Sequence, residues 1–195
     1  MHSRWAVVMA VVLALVALAT GLGAALATEE NRRAKRVAIA ELRDTNGQRV
    51  GVAFFTAKRG QVSVDAAVWR LTPGYHGFHV HTVGVCEPPF TSAGGHYNPG
   101  GASHGDHAGD LPTLLVKEDG TAELRFETDR FSLRDLSDMD GSALMIHAGR
   151  DNYANIPDRY QSSASDTPGP DADTLATGDA GARAACGVVK RIGRW

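Results

Sequence analysis

From residue 37 onward, apolar side chains recur at every second position in short runs, and no segment repeats them at the three-and-four spacing of a long helix. "VAIAELRD" (37–44), "RVGVAFFTA" (49–57) and "VSVDAAVWRL" (62–71) each predict a strand, with a tight turn at Asn46-Gly47 between the first two. "PTLLVKEDGTAELRFET" (112–128) predicts a hairpin that turns at Asp119-Gly120. With "GFHVH" (77–81), "SALMIHAG" (142–149) and "ACGVVKRIG" (185–193), the expected total is eight strands. The fold class that suits them is all-β, an eight-stranded antiparallel Greek-key barrel or sandwich. Two long loops interrupt it, at about 83–112 and 149–183, and loops of that length in a compact domain usually carry function.

The alternation does not reach the N-terminus. From Trp5 to Ala27 no residue is charged, and Arg4 precedes the run, which makes residues 1–27 a targeting segment outside the fold. Ala25 and Ala27 give a small-x-small cleavage pattern, and cleavage is favoured. The alternative is an uncleaved anchor, since 23 uncharged residues suffice to cross a bilayer. Either way the domain is exported, to the exterior, the periplasm or the cell envelope. Residues 28–36 read as a linker, its "NRRAKR" stretch a solvated one, and residues 37–195 as a single domain.

Without the leader the chain has 19 basic against 22 acidic side chains, a net charge of −3, and nothing in it suggests nucleic acid as a partner. No face of the strands singles itself out for pairing between copies. The two cysteines, Cys86 and Cys186, are 100 positions apart in a chain that leaves the cytosol, so one disulfide between them is the expectation. On chain-entropy reasoning, closing a loop of about 100 residues contributes about 4.7 kcal/mol.

Five of the eight histidines, with eight glycines, lie between residues 77 and 112, a stretch too glycine-rich for a helix. His79 and His81 are two apart on a presumed strand, so both imidazoles project from one face. Such a pair alone is more often a polar surface pair than a metal site. The continuation with His96, His104, His107 and Asp110 changes the picture: in "HGDHAGD" the close spacing lets ligands wrap one ion, and a His3Asp set without cysteine suits tetrahedral zinc. His147, ending another strand, is placed to approach the His79 and His81 face, and four imidazoles around one ion favour copper. His76 is an odd number of positions before His79, faces away from it by the same parity, and reads as a surface histidine.

These residues resemble the copper/zinc superoxide dismutases, the exported bacterial type above all, from about Val37 to Gly193. "GFHVH" is similar to the family strand with two copper ligands, which implies that role for His79 and His81. "SAGGHYNP" implies His96 as the histidine between both metals. "HAGDLP" implies zinc ligation by His107 and Asp110, with His104 as the remaining zinc ligand, and "MIHAGRD" implies His147 as the fourth copper ligand. "GDAGARAACGVV" implies Arg183 as the active-site arginine and Cys186 as half of the disulfide to Cys86. Asp151, four positions after His147, implies the aspartate that hydrogen-bonds one copper ligand and one zinc ligand together.

The resemblance implies copper and zinc as cofactors and superoxide as substrate. Zinc has no redox chemistry, so copper is the expected redox centre and zinc structural. His96 and Arg183 are the expected catalytic residues. His96 takes up a proton as the first superoxide leaves as dioxygen, and gives it to the second, which takes another proton from water and leaves as hydrogen peroxide. Arg183 orients the anion. Two features depart from the family pattern. Only Gly105 and Asp106 separate His104 from His107, so a looser zinc site, or Asp106 as a competing ligand, is expected. The loop from Asp151 to Arg183 holds six aspartates, two arginines and no lysine, which predicts weak electrostatic steering by this loop. Two other classes fit parts of the pattern: a metal store, in which Arg183 and Asp151 have no clear use, and a catalytically dead interaction module, which would be expected to lack ligands that are all present here.

Overall fold

The computed structural model describes residues 37–192. Residues 1–27, expected as a targeting segment, and 28–36, expected as a linker, lie outside the described residues. Nine strands follow in chain order: β1 (Val37–Asp44), β2 (Arg49–Lys58), β3 (Gln61–Val68), β4 (Gly74–His76), β5 (Phe78–His81), β6 (Leu114–Val116), β7 (Ala122–Thr128), β8 (Ala143–His147) and β9 (Arg183–Arg191). Seven form one antiparallel, curled sheet in the order β5-β8-β9-β1-β2-β3-β7, and β4 pairs with β6. The all-β Greek-key arrangement is the expected one.

Alternation explains which face each strand buries. Ala38, Ala40 and Leu42 of β1, and Val62, Val64, Ala66 and Val68 of β3, turn inward onto a core that also holds Phe55, Phe78, Leu144 and Ile146. Asp65 and Arg125, opposite each other on β3 and β7, turn outward and form an exposed ion pair at 3.0 Å. The predicted turns fall at Gly47 and Gly120, both with positive φ. Between Leu42 and Arg43 the register with β2 shifts, a bulge that leaves Val50 unpaired and turned into the core.

The ninth strand comes from a break at Gly77, which separates β4 in the small sheet from β5 in the large one. Gly77 N–H donates to the Gly149 carbonyl (2.8 Å) and its own carbonyl accepts from His147 N–H (2.8 Å). A Cβ at this position would lie 2.7 Å from that of Ala180. The parity argument for His76 assumed one continuous strand and therefore fails. His76 is buried, with Nδ1 2.6 Å from the His147 carbonyl and Nε2 2.8 Å from that of Thr72.

The two long loops cover the β5 and β8 end of the large sheet. The second carries one short helix, α1 (Ala172–Thr177), capped by Asp171, whose side chain accepts from Thr174 N–H (3.0 Å). The Cys86–Cys186 disulfide ties the first loop to β9.

Candidate metal centre

All four residues of β5 are buried: Phe78 and Val80 face the apolar core, while His79 and His81 face the first long loop. That loop is stitched onto the strand by Val80 N–H to the Gly109 carbonyl (2.8 Å), Tyr97 N–H to the Val80 carbonyl (2.8 Å) and Thr82 N–H to the Gly95 carbonyl (3.0 Å). The pairing sets His96 opposite His81 and Asp110 opposite His79. His147, at the end of β8, joins from the neighbouring strand.

Two groups of four donors result. His79, His81, His96 and His147 form one; His96, His104, His107 and Asp110 form the other. In each group the ligand atoms lie within 4.8 Å of one another, all eight memberships are buried, and His96 belongs to both. His79, His104 and Asp151 also lie close, but they do so through the hydrogen bonds that join the two groups.

The ring partners show which nitrogens are free. His81 Nδ1–H donates to the Gly94 carbonyl (2.9 Å) and His147 Nδ1–H to the Gly181 carbonyl (3.0 Å), which leaves their Nε2 lone pairs facing each other at 3.4 Å. His79 Nε2–H donates to Asp151 Oδ2 (2.6 Å), and its Nδ1 is buried without any partner. Opposed lone pairs and an orphaned buried nitrogen are costly unless a cation lies among them, so this group fits a metal ion. In the other group, Nδ1 of His104 and of His107 lie 3.2 and 3.3 Å from Nδ1 of His96, and Asp110 Oδ1 is 2.9 Å from the same atom. Asp110 Oδ2 accepts from Gly105 N–H (2.7 Å) and His107 N–H (3.0 Å), which holds Oδ1 toward the imidazoles.

Asp151 links the groups as expected, its two oxygens accepting from His79 and, at 2.7 Å, from His104 Nε2–H. Asp106 stands outside both: its carboxylate is 86% exposed and lies 3.7 Å from Arg130 Nη2. Arg183 sits beside the first group, Nη2 donating to the Gly94 carbonyl (2.6 Å) and Nη1 to that of Phe90. Gly94 thus accepts from both Arg183 and His81, within the loop that the disulfide anchors. Several residues were not legible in the sequence: His76 behind His147, Gly178 against Asp151 and His104, Tyr153, and Arg130.

Burial pushes the His79 pKa down to about 4 and that of His147 down to about 3, and it holds His81 well below the usual value. Burial also lowers His107. For His104 burial acts the same way, but the Asp110 and Asp151 carboxylates outweigh it and raise the pKa to about 9. Burial opposes ionisation of both aspartates; hydrogen bonds from His104 with His96, and from His104 with His79, nevertheless keep Asp110 and Asp151 well below the usual range.

The signs give an expectation for the metal-free protein. His79, His81 and His147 are neutral in both states above pH 6.5; below it the unfolded chain binds protons that the fold refuses, so stability falls as pH drops toward 4. Each such histidine contributes a slope of about 1.4 kcal/mol per pH unit. His104 acts in the opposite direction, its contribution full below pH 6.5 and lost as pH rises through about 9. Urea unfolding of metal-free protein between pH 7 and pH 5 should show net uptake of one to three protons on unfolding, and a flat profile would contradict these assignments.

The family profile for copper/zinc superoxide dismutase matches residues 49–189. The chain is 45% identical over 158 residues to the superoxide dismutase [Cu-Zn] of Mycobacterium tuberculosis, covering 74% of this chain and 66% of that protein, a little under two thirds. It is 36% identical to that of Brucella abortus over 158 residues, with 74% and 80% covered. Among solved structures, a double mutant of a SOD-like protein from Bacillus subtilis aligns with a TM-score of 0.64 at 30% identity, covering 78% of this chain and 96% of that one. Since the profile match runs from the start of β2 almost to the end of β9, and so takes in every donor of both groups, the chain belongs to the copper/zinc superoxide dismutase family.

Proposed function

We propose that this domain dismutates superoxide, two anions and two protons giving dioxygen and hydrogen peroxide. The observation that carries the reading is the sharing of His96 between two four-donor groups. His79, His81, His96 and His147 are the proposed copper ligands, because four imidazoles suit copper. His96, His104, His107 and Asp110 are the proposed zinc ligands, a tetrahedral set without thiolate. Bound copper supplies a one-electron redox couple and bound zinc a fixed positive charge.

The chain's own residues do the rest. His96 has Nδ1 turned to the zinc group, which leaves Nε2 to take up a proton in the first half-reaction and deliver it to the reduced oxygen in the second. Asp151 holds His79 and His104 by their Nε2–H, fixing the tautomer that keeps each Nδ1 available. Arg183, its guanidinium pinned by two backbone carbonyls, attracts and orients the anion. Arg183→Ile should lower the rate constant by about tenfold or more, because the guanidinium acts on the anion at contact range, well inside the roughly 8–10 Å over which salt screens. The aspartate-rich loop adds no lysine to steer the anion. The rate should therefore vary little with ionic strength, and a steep fall with added salt would contradict this.

Metal content by mass spectrometry on the purified protein, with superoxide consumption before and after copper removal, tests the function. One copper and one zinc per chain, with activity that vanishes and returns with copper, is the expected result. Bound metal without dismutation would point to metal storage instead.

Export is the proposed location. The uncharged run from Trp5 to Ala27 and the Cys86–Cys186 disulfide support it, as does 34% identity to the extracellular superoxide dismutase [Cu-Zn] of Brugia pahangi. Among the described residues, no helix is long and apolar enough to cross a membrane. The mass of the N-terminus in protein recovered from the native host distinguishes cleavage after Ala27 from a retained anchor.

A further inference from the structure

The turn from His104 to His107 presents two donors with only Gly105 and Asp106 between them, and it has little internal bonding of its own. Asp106 N–H donates back to the Ser103 carbonyl (3.1 Å), and Asp110 Oδ2 takes the N–H groups of Gly105 and His107. The His107 carbonyl accepts from Asp110 N–H (3.1 Å). Arg130, just beyond β7, reaches both sides of the turn: Nη1 donates to the Gly105 carbonyl at 3.1 Å and, as a second donor, to the His107 carbonyl at 3.0 Å, while Nη2 faces the Asp106 carboxylate at 3.7 Å. One guanidinium therefore spans the whole turn from outside.

Tyr153 closes the other side. Its ring lies nearly parallel to that of His104, 6.3 Å between centroids and 16° between planes. Its backbone carbonyl packs so closely on Gly105 that a Cβ there would come within 2.8 Å. The phenol is tied down as well: its oxygen accepts from Thr113 N–H (2.8 Å), lies 2.6 Å from Thr113 Oγ1 and 3.3 Å from the Leu111 carbonyl. Tyr153 has φ of 55°, a left-handed backbone unfavourable for a bulky aromatic, and Asp151 Oδ1 holds it by accepting its N–H (2.7 Å). Neither Arg130 nor Tyr153 belongs to a donor group.

We propose that Arg130 and Tyr153 are positioning residues that clamp the shortened ligand turn from two sides, and that they set how long zinc stays bound. The inference rests on the proposed assignment of His104 and His107 as zinc ligands. Arg130 fixes the path of the turn, and Tyr153 covers the His104 ring and restricts the outward swing by which that ligand would leave. Outer partners of metal ligands typically matter by about 10- to 100-fold in affinity. Since both residues act on backbone and ring position, the effect should appear mainly in the rate of zinc release.

The test uses the full chain loaded with copper and zinc, and follows zinc transfer to a chromogenic chelator. Arg130→Ala and Tyr153→Ala should each release zinc about tenfold or more faster than the parent, with the Cu(II) electron paramagnetic resonance spectrum of freshly loaded protein unchanged. Arg130→Lys and Tyr153→Phe are the conservative variants, used also if the alanine variants fail to fold. The lysine offers one nitrogen in place of two, so it cannot meet the carbonyls and face Asp106 from separate atoms, and it should release zinc faster than the parent but more slowly than alanine. The phenylalanine keeps the ring over His104 but loses the Thr113 tether, and should also be intermediate. The melting temperature of the metal-free forms of these conservative variants should stay close to the parent's, which a purely structural role would not allow. Zinc release at the parent rate in all four variants overturns the clamp and leaves the zinc ligands standing. A parent protein that binds copper but no zinc overturns both.

Discussion

On the proposed dismutase reading, His147→Ala should reduce superoxide consumption by the purified, metal-loaded protein to the uncatalysed background while one zinc per chain remains. The two donor groups share only His96, and His147 belongs to the first alone. Its Nε2 faces Nε2 of His81 at 3.4 Å, so truncation removes one of four donors from a buried site and leaves a void beside the other three. Copper affinity should fall by more than the roughly 100-fold upper range associated with losing an outer partner, because a ligand itself is lost. The backbone around it should hold: the His147 carbonyl still faces His76, and its N–H still meets the Gly77 carbonyl. Parallel assays of dismutation, copper and zinc on the variant decide the matter. Activity within a few-fold of the parent would remove His147, and with it the proposed four-imidazole copper set.

Gly178→Ala should cost as much by a different route, far from either metal group in sequence. Gly178 ends α1 in the left-handed region, with φ of 60°, and its N–H donates to the Thr174 carbonyl (3.0 Å). A Cβ built there would lie 2.2 Å from Asp151 Oδ1 and 2.2 Å from His104 Nε2, which is to say inside the hydrogen bond that joins those two side chains. Both are buried, so neither can swing into solvent. Forcing an extra methyl into a packed site costs about 1–3 kcal/mol, and the left-handed backbone adds about 1–2 kcal/mol for a residue with a Cβ. The expected result is a metal-free protein less stable by about 2–5 kcal/mol. Weaker retention of both metals should accompany it, since Asp151 orients one ring in each group. Gly100→Ala, where a Cβ meets nothing within 4 Å, is the control and should change stability by less than about 0.5 kcal/mol. Equal stability and equal metal retention in the two variants would contradict the bridging role given to Asp151.

The donor residues were legible because each lies in a short local motif. "GFHVH" gives two imidazoles on one strand face from the pleat alone, and "HGDHAGD" gives closely spaced donors on a turn. His76 was not legible for the same reason that His79 and His81 were. Parity holds along one strand, and the break at Gly77 sends β4 and β5 to different sheets, so His76 ends buried behind His147. The short spacing from His104 to His107 led to two alternatives, a looser site or Asp106 as a competing ligand, and the Asp106 carboxylate faces outward to Arg130. Adjacency in sequence says nothing about direction once a turn reverses the chain.

By itself the sequence determined the all-β class, the positions of eight of the nine described strands, the two hairpin turns and the pairing of two lone cysteines, and through its motifs the chemical identity of the donors. These depend on period-two burial, on turn residues and on local spacing, all of which act over a few neighbouring residues. The tertiary structure supplied the geometry by which His96 faces both groups and Asp151 receives one ring from each, roles the resemblance had implied, and it alone decided that Gly178, Arg130 and Tyr153 stand around the same turn. The contacts of His96 join residues from 8 to 51 positions apart, and the others join residues from 23 to 74 positions apart. They exist because curling the sheet lays two loops over one end of it, and no local preference in either loop encodes where the other will rest.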